Sequence, residues 1–144
     1  MTTKKIHLIR AAQAKPFVKT AARLGLPVKN LARKADMPYK PVRTGDGVIG
    51  ERSLWRFVEL AIDYKDCEHL GYITALDHSV THTGQLGGME ITLAGSLRDI
   101  LRIFCREVVN QSDGSNYRLI RRRRQTWFAR DLMFIDSPAG WQAE

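Results

Sequence analysis

Leu54, Phe57, Val58 and Ala61 recur at i, i+3, i+4 and i+7, while Arg52, Arg56, Glu59 and Asp63 fall on the opposite side. That spacing is the period of one helical face, and it predicts a helix over 51–64 whose apolar stripe has to be covered by other elements. With 144 residues, 44% of them hydrophobic, the chain carries material for one modest core and at most one domain.

The covering elements are read from the same logic. Pro16 stands at a plausible first helical turn, Phe17, Ala21 and Leu24 follow at helical spacing and Gly25 marks a stop, predicting a helix over 15–24. Pro27 opens a second helix with Val28, Leu31 and Ala35 on one face, ending before Pro38. Residues 37–50, with two prolines and three glycines, read as a loop. A short helix is predicted over 69–77, a loop or hinge over 78–88, and a helix over 97–109 introduced by the capping pair Ser96 and Asp99. After the polar turn residues 110–116 the period changes. Tyr117, Leu119 and Ile120, then Trp127, Phe128, Leu132, Phe134 and Ile135, predict two strands joined near Arg122–Gln125. The fold class is therefore α+β: a mainly helical N-terminal part of about five helices, followed by a short antiparallel β-hairpin or partial sheet.

The order of these segments resembles a known family. Residues 17–38 and 51–64, two short basic helices and then a longer amphipathic one, resemble the start of the N-terminal, arabinose-binding-domain-like regulatory domain of AraC-type bacterial transcription regulators. The segment DCEHLGYITALDHSV (66–80) looks like the family's acidic-then-LG opening of its next helix. Residues 84–122 look like its following helices and the SDG turn (112–114) that leads into its sheet. The resemblance implies an effector-sensing and dimerisation domain occupying 1–144 as a single unit, with no cofactor and no catalysis, acting in the cytoplasm. Its partners would be an unknown small-molecule effector, a second copy of itself, and DNA through a C-terminal helix-turn-helix module. Nothing after Arg130 supplies that module, and the closing WQAE looks like the first turn of a further helix, so the domain is expected to be incomplete.

Charge is spread unevenly. Residues 1–56 hold 13 Lys and Arg against three acids, residues 57–116 four against nine, and residues 117–144 six against three, within a net charge of +8. Basic ends around an acidic middle point to an anionic partner or to a solvated surface. There is no run of about 18 apolar residues to span a bilayer, and the N-terminus has too short an apolar stretch for a secretory signal.

Three sets of residues carry candidate chemistry. Arg52 and Arg56 lie four apart with Trp55 between them, and two guanidinium groups beside an indole would hold an acidic or nucleotide-like effector by paired hydrogen bonds and stacking. Arg121–Arg124 beside Trp127 form a second cluster of the same kind. The RxxxR spacing of Arg52 and Arg56 also resembles half of the cyclic-di-GMP signature of PilZ domains, but Ser115 stands where the partner pattern needs glycine. An alternative function rests on residues 15–43, which read as a helix-turn-helix whose second helix presents Lys29, Asn30, Arg33 and Lys34 to base edges, making the chain a small DNA-binding protein.

Cys67, His69, Asp77, His78 and His82 lie within sixteen residues, yet no HExxH or paired-cysteine pattern supports a metal, and surface histidines are the better reading. Cys67 and Cys105 are read as buried thiols. The chain has no GxSxG, no phosphate-loop glycine pattern and no set of nucleophile, base and orienter, so an enzyme is not expected.

Overall fold

In the computed structural model the residues described are 6–64, 67–77, 95–114 and 116–131. They form a mainly helical α+β fold: β1 (Leu8–Arg10), α1 (Ala11–Arg23), α2 (Val28–Lys34), α3 (Tyr39–Thr44), β2 (Val48–Gly50), α4 (Glu51–Tyr64), α5 (Leu70–Asp77), α6 (Leu97–Glu107), a 3₁₀ turn at Val108–Asn110, β3 (Asn116–Arg122) and β4 (Gln125–Asp131). The fold class read from the sequence holds. The predicted loop at 78–88, His78, His82, residues 132–135 and the closing WQAE lie outside the described residues.

The helix over 51–64 is found with the boundaries its periodicity gave, and Leu54, Phe57, Val58 and Ala61 are all buried. α2 packs on α4, while α1 packs on α3 and α5, so that Phe57, Leu70, Val42 and Val58 close the centre of the core.

α1 corrects the expected 15–24. It starts four residues earlier, and Pro16 sits inside it rather than in its first turn. Arg10 at the N-cap makes no side-chain cap; the Ala11 amide instead donates to the Gly47 carbonyl at 3.0 Å. A tertiary cap from 36 residues downstream leaves no local signal.

The loop expected over 37–50 contains α3 and β2. Pro38 is the N-cap of α3 and Pro41 its third residue, where no intrahelical amide partner is required, so proline is tolerated. Gly45, at φ 86°, ends the helix in the left-handed region open to glycine. β2 then pairs antiparallel with β1, Leu8 to Gly50, Ile9 to Ile49 and Arg10 to Val48.

On its other edge β1 meets the SDG turn. Ile9 bridges Ser112, the Arg10 amide donates to the Gln111 carbonyl at 2.8 Å, and the Asp113 amide donates to the Leu8 carbonyl at 3.1 Å. Asp113 Oδ1 accepts from the Leu8 amide at 2.6 Å. A three-residue strand is thus held on both sides, and it joins the first half of the chain to the second.

α6 is predicted over 97–109 and found over 97–107, followed by the 3₁₀ turn. Ser96 Oγ accepts from the Asp99 amide at 3.2 Å, the expected cap. β3 and β4 pair in full register from Asn116–Asp131 to Arg122–Gln125, leaving Arg123 and Arg124 as a two-residue turn. One face of the hairpin packs on α6: Phe104, Tyr117 and Phe128 have ring centroids 5.0–5.8 Å apart.

Candidate functional site

Among the described residues, charge and enclosure meet where α1 passes α5. Lys19 and Arg23 are one helical turn apart on α1, and Thr20 beside them is buried. Arg23 pairs with Asp77, the last residue of α5. Lys19, Thr20, Arg23 and Asp77 line a cleft of about 400 Å³. That is within the range of small-molecule sites, roughly 300–1,000 Å³. Among the described lining residues two cations face one carboxylate, and Arg23, which meets Asp77 through Nη2 alone, keeps further guanidinium donors for an oxyanion. Sequence reasoning did not single out Lys19, Thr20 or Arg23, and it weighed Asp77 only as a metal ligand. Lys19 and Arg23 show only as exposed charges on a helix, and nothing local ties them to an aspartate 54 positions away.

The expected effector trio is not brought together on one surface. Arg52 and Arg56 are exposed, but Trp55 is only 8% exposed, so its ring has no open face for stacking. The reason is the helical period: Trp55 follows Leu54 into the interior, while Arg52 and Arg56 turn outward. Arg56 Nη1 lies 3.5 Å from Asp36 Oδ2, an exposed contact that tethers α4 to the end of α2.

Lys29, Asn30, Arg33 and Lys34 are all exposed on α2, while Val28, Leu31 and Ala32 are buried. Arg33 Nη2 donates to Asn30 Oδ1 at 3.3 Å. Between α1 and α2 the four-residue turn contains Gly25 at φ 78°, the short glycine-bearing turn that helix-turn-helix units use.

At the junction of the two halves lies a polar interior the sequence did not announce. Glu51, the first residue of α4, is 3% exposed, and Gly114 packs so closely that a side chain there would collide with the Glu51 carboxylate and crowd His7. Burial pushes the Glu51 carboxyl above its ordinary range; Arg130, His7 and the Trp55 indole pull it back in part, and Asp113 adds to the rise. Trp55 Nε1 and Glu51 Oε2 are buried without a hydrogen bond of standard geometry. Arg130 also lies over the Tyr117 ring, 5.2 Å from its centroid, so the same guanidinium faces the helical half and the hairpin aromatics.

The arginine run forms the end of the hairpin. Arg121, Arg122, Arg123 and Arg124 are all exposed, and Trp127 is 56% exposed. Cys67 and Cys105 are half-buried thiols, and burial raises the pKa of the Cys105 thiol, which disfavours the reactive thiolate. Among the described residues no group of three or more His, Cys, Asp or Glu side chains is placed to hold a metal ion. Among them, too, no helix is long and apolar enough to cross a membrane.

No protein-family model matches the chain, and no curated protein matches it in sequence.

Proposed function

We propose that this chain is the small-molecule-sensing regulatory domain of an AraC-type bacterial transcription regulator, working in the cytoplasm and self-associating, with a helix-turn-helix module attached to it that reads DNA. The α1–α5 cleft is the observation that carries the reading. Its volume suits a metabolite, and Lys19, Arg23 and the Thr20 hydroxyl suit an acidic one. The order of basic helices, amphipathic α4, Leu70–Gly71 opening α5, and SDG turn before the hairpin supports the family resemblance.

The domain acts without chemistry. An effector seated between α1 and α5 competes with Asp77 for Arg23 and favours one arrangement of the helical half, and the attached module senses that arrangement as a shift in population. Arg52 and Arg56 serve as secondary surface cations for the same class of ligand, without Trp55.

Thermal denaturation against a panel of dicarboxylates, sugar phosphates and nucleotides tests this. A ligand present at about 100 times its Kd stabilises by about 2.7 kcal/mol, which for a chain of this size moves Tm by about 5–10 °C. Arg23→Ala should abolish the shift, and Arg52→Ala with Arg56→Ala should reduce it. A ligand response unaffected by Arg23→Ala would rule out the cleft, and no response to any acidic metabolite would rule out the sensing role.

The second reading is a small DNA-binding protein using residues 15–43. It is favoured by the glycine turn at Gly25 and by the exposure of Lys29, Asn30, Arg33 and Lys34 together. Salt-sensitive duplex binding that Lys29→Gln with Arg33→Gln removes would support it.

A further inference from the structure

The hairpin places its charges where the local chemistry least favours them. Arg122 pairs with Gln125, so Arg123 and Arg124 form a two-residue turn, and Arg123 adopts φ 53°. Such turns are dominated by Asn, Asp and Gly, because a side chain in the left-handed region crowds its own backbone. Here the position holds arginine, flanked by three more arginines that repel it. Among the described residues none of Arg121, Arg122, Arg123 and Arg124 has a carboxylate partner, whereas Arg118, farther down the ribbon, pairs with Asp131 at 2.6 Å. Charges that merely guard a sheet are spread along the strand edges and need no strained backbone. These are gathered at the tip.

The register decides what else faces outward. Tyr117, Leu119, Phe128 and Arg130 share the face that packs on α6, so the cross-strand pairs Arg118–Ala129, Ile120–Trp127 and Arg122–Gln125 share the other. Trp127 therefore lies exposed on the outer face, one pleat from the arginine turn. We propose that the outer face and tip of the β3–β4 hairpin dock on duplex DNA, with Arg122, Arg123 and Arg124 on backbone phosphates and Trp127 packed beside them against the groove wall. A two-stranded antiparallel ribbon is of a size that the major groove admits, about 12 Å wide. Its charge is complementary to the phosphates on both sides of that groove. This surface lies on different elements from the α1–α5 cleft and from α2, so it stands or falls apart from effector sensing and apart from the helix-turn-helix reading.

Fluorescence anisotropy of the full chain with a labelled duplex of about 20 base pairs, titrated over a range of salt, tests the proposal. The variant Arg122→Gln, Arg123→Gly, Arg124→Gln should weaken binding at least about tenfold and make the slope of log K against log salt shallower by about 2–3 units, since each phosphate contact contributes about 0.9. Arg123→Gly alone should weaken binding while raising Tm by about 2–4 °C, because glycine relieves the turn. That opposite movement shows the loss is not unfolding. Lys29→Gln with Arg33→Gln should leave affinity within about twofold, as these residues lie outside the docking face. Wild-type chain that fails to bind duplex at low salt overturns the proposal, as does a hairpin variant with wild-type affinity and slope. Tighter binding to a single-stranded oligonucleotide, or to vesicles containing phosphatidylserine, than to the duplex would likewise overturn it, naming another partner for the same arginines.

Discussion

The two halves of this molecule use amphipathic helices of similar clarity to opposite ends. In the first, α4 turns Leu54, Phe57, Val58 and Ala61 into a core already lined by α1, α2, α3 and α5, and those side chains are enclosed. In the second, α6 carries Leu97, Ile100, Leu101 and Phe104 on one face, yet none of its residues is fully buried and Leu97 is 71% exposed. Periodicity decides which side of a helix turns inward, but the number of elements that converge on that side decides how much is buried. Three helices, α1, α2 and α5, and strand β2 pack on α4, whereas among the described residues α6 has a two-stranded hairpin.

The largest test of that contrast is to remove one aromatic ring from each half. Phe57→Ala should cost about 3–5 kcal/mol, the range for a large enclosed side chain and a large fraction of a domain's stability. Phe104→Ala, which loses half-buried area and two ring contacts, should cost about 2 kcal/mol. Chemical denaturation of both variants checks it, and equal losses would mean that the second half is as well packed as the first.

The seam between the halves comes next. Asp113→Ala removes the acceptor of the Leu8 amide, for an expected loss of about 1–2 kcal/mol. If the seam is what couples the halves, hydrogen exchange should quicken in β1 and the hairpin while the Leu54–Ala61 amides keep their protection. Acceleration throughout the chain would instead make the two halves one cooperative unit.

How much of this the sequence discloses follows the same division between local and distant causes. α4, α6, the Ser96 cap and the hairpin turn are set by residues within a few positions of one another, and all were legible. β1 and β2 were not: three residues carry no period, and each exists because the other, about 40 positions away, supplies its hydrogen bonds. The early start of α1 depends on the Gly47 carbonyl, and α3 on proline being harmless in a first turn. Arg52 and Arg56 were correctly placed outside, while Trp55 went inside because an aromatic next to Leu54 lies near the buried stripe. The cleft was invisible because Lys19, Arg23 and Asp77 meet only once α1 and α5 pack.

The carboxylates of the two halves should answer pH in opposite senses. Glu51, enclosed at the seam, has a folded pKa above its ordinary 4.5, so the folded state binds the proton more tightly than the unfolded chain. Stability contributed by this group is present below about 4.5 and is lost as pH rises through the raised folded value, with a slope of at most about 1.4 kcal/mol per pH unit. Glu107, on exposed α6, is held below its ordinary range by hydrogen bonding from Arg106, with burial opposing and Asn110 assisting. Its contribution is present above the ordinary pKa and fades as pH falls through the lowered one. Subtracting the pH–stability curve of Glu51→Gln from that of the wild type should isolate the falling limb. A flat difference would mean that Arg130 and His7 fully offset the burial.

The smallest expected effect falls on the cap of α6, and it asks the sharpest question about the contrast. Ser96 Oγ accepts from the Asp99 amide at 3.2 Å and donates to Asp99 Oδ2 at 2.5 Å, and α6 has no enclosed side chain to compensate if that geometry is lost. Ser96→Ala should cost about 0.5–1 kcal/mol, since a serine cap satisfies one amide that would otherwise turn to water. In a half held loosely, the loss stays local: amides of Ile100–Phe104 should exchange about five times faster, with those of Leu54–Val58 unchanged. In a half held as tightly as the first, the same loss would be shared by every amide that opens only on global unfolding, and both helices would quicken together. The ratio of the two rates therefore measures how far the α6–hairpin half opens on its own.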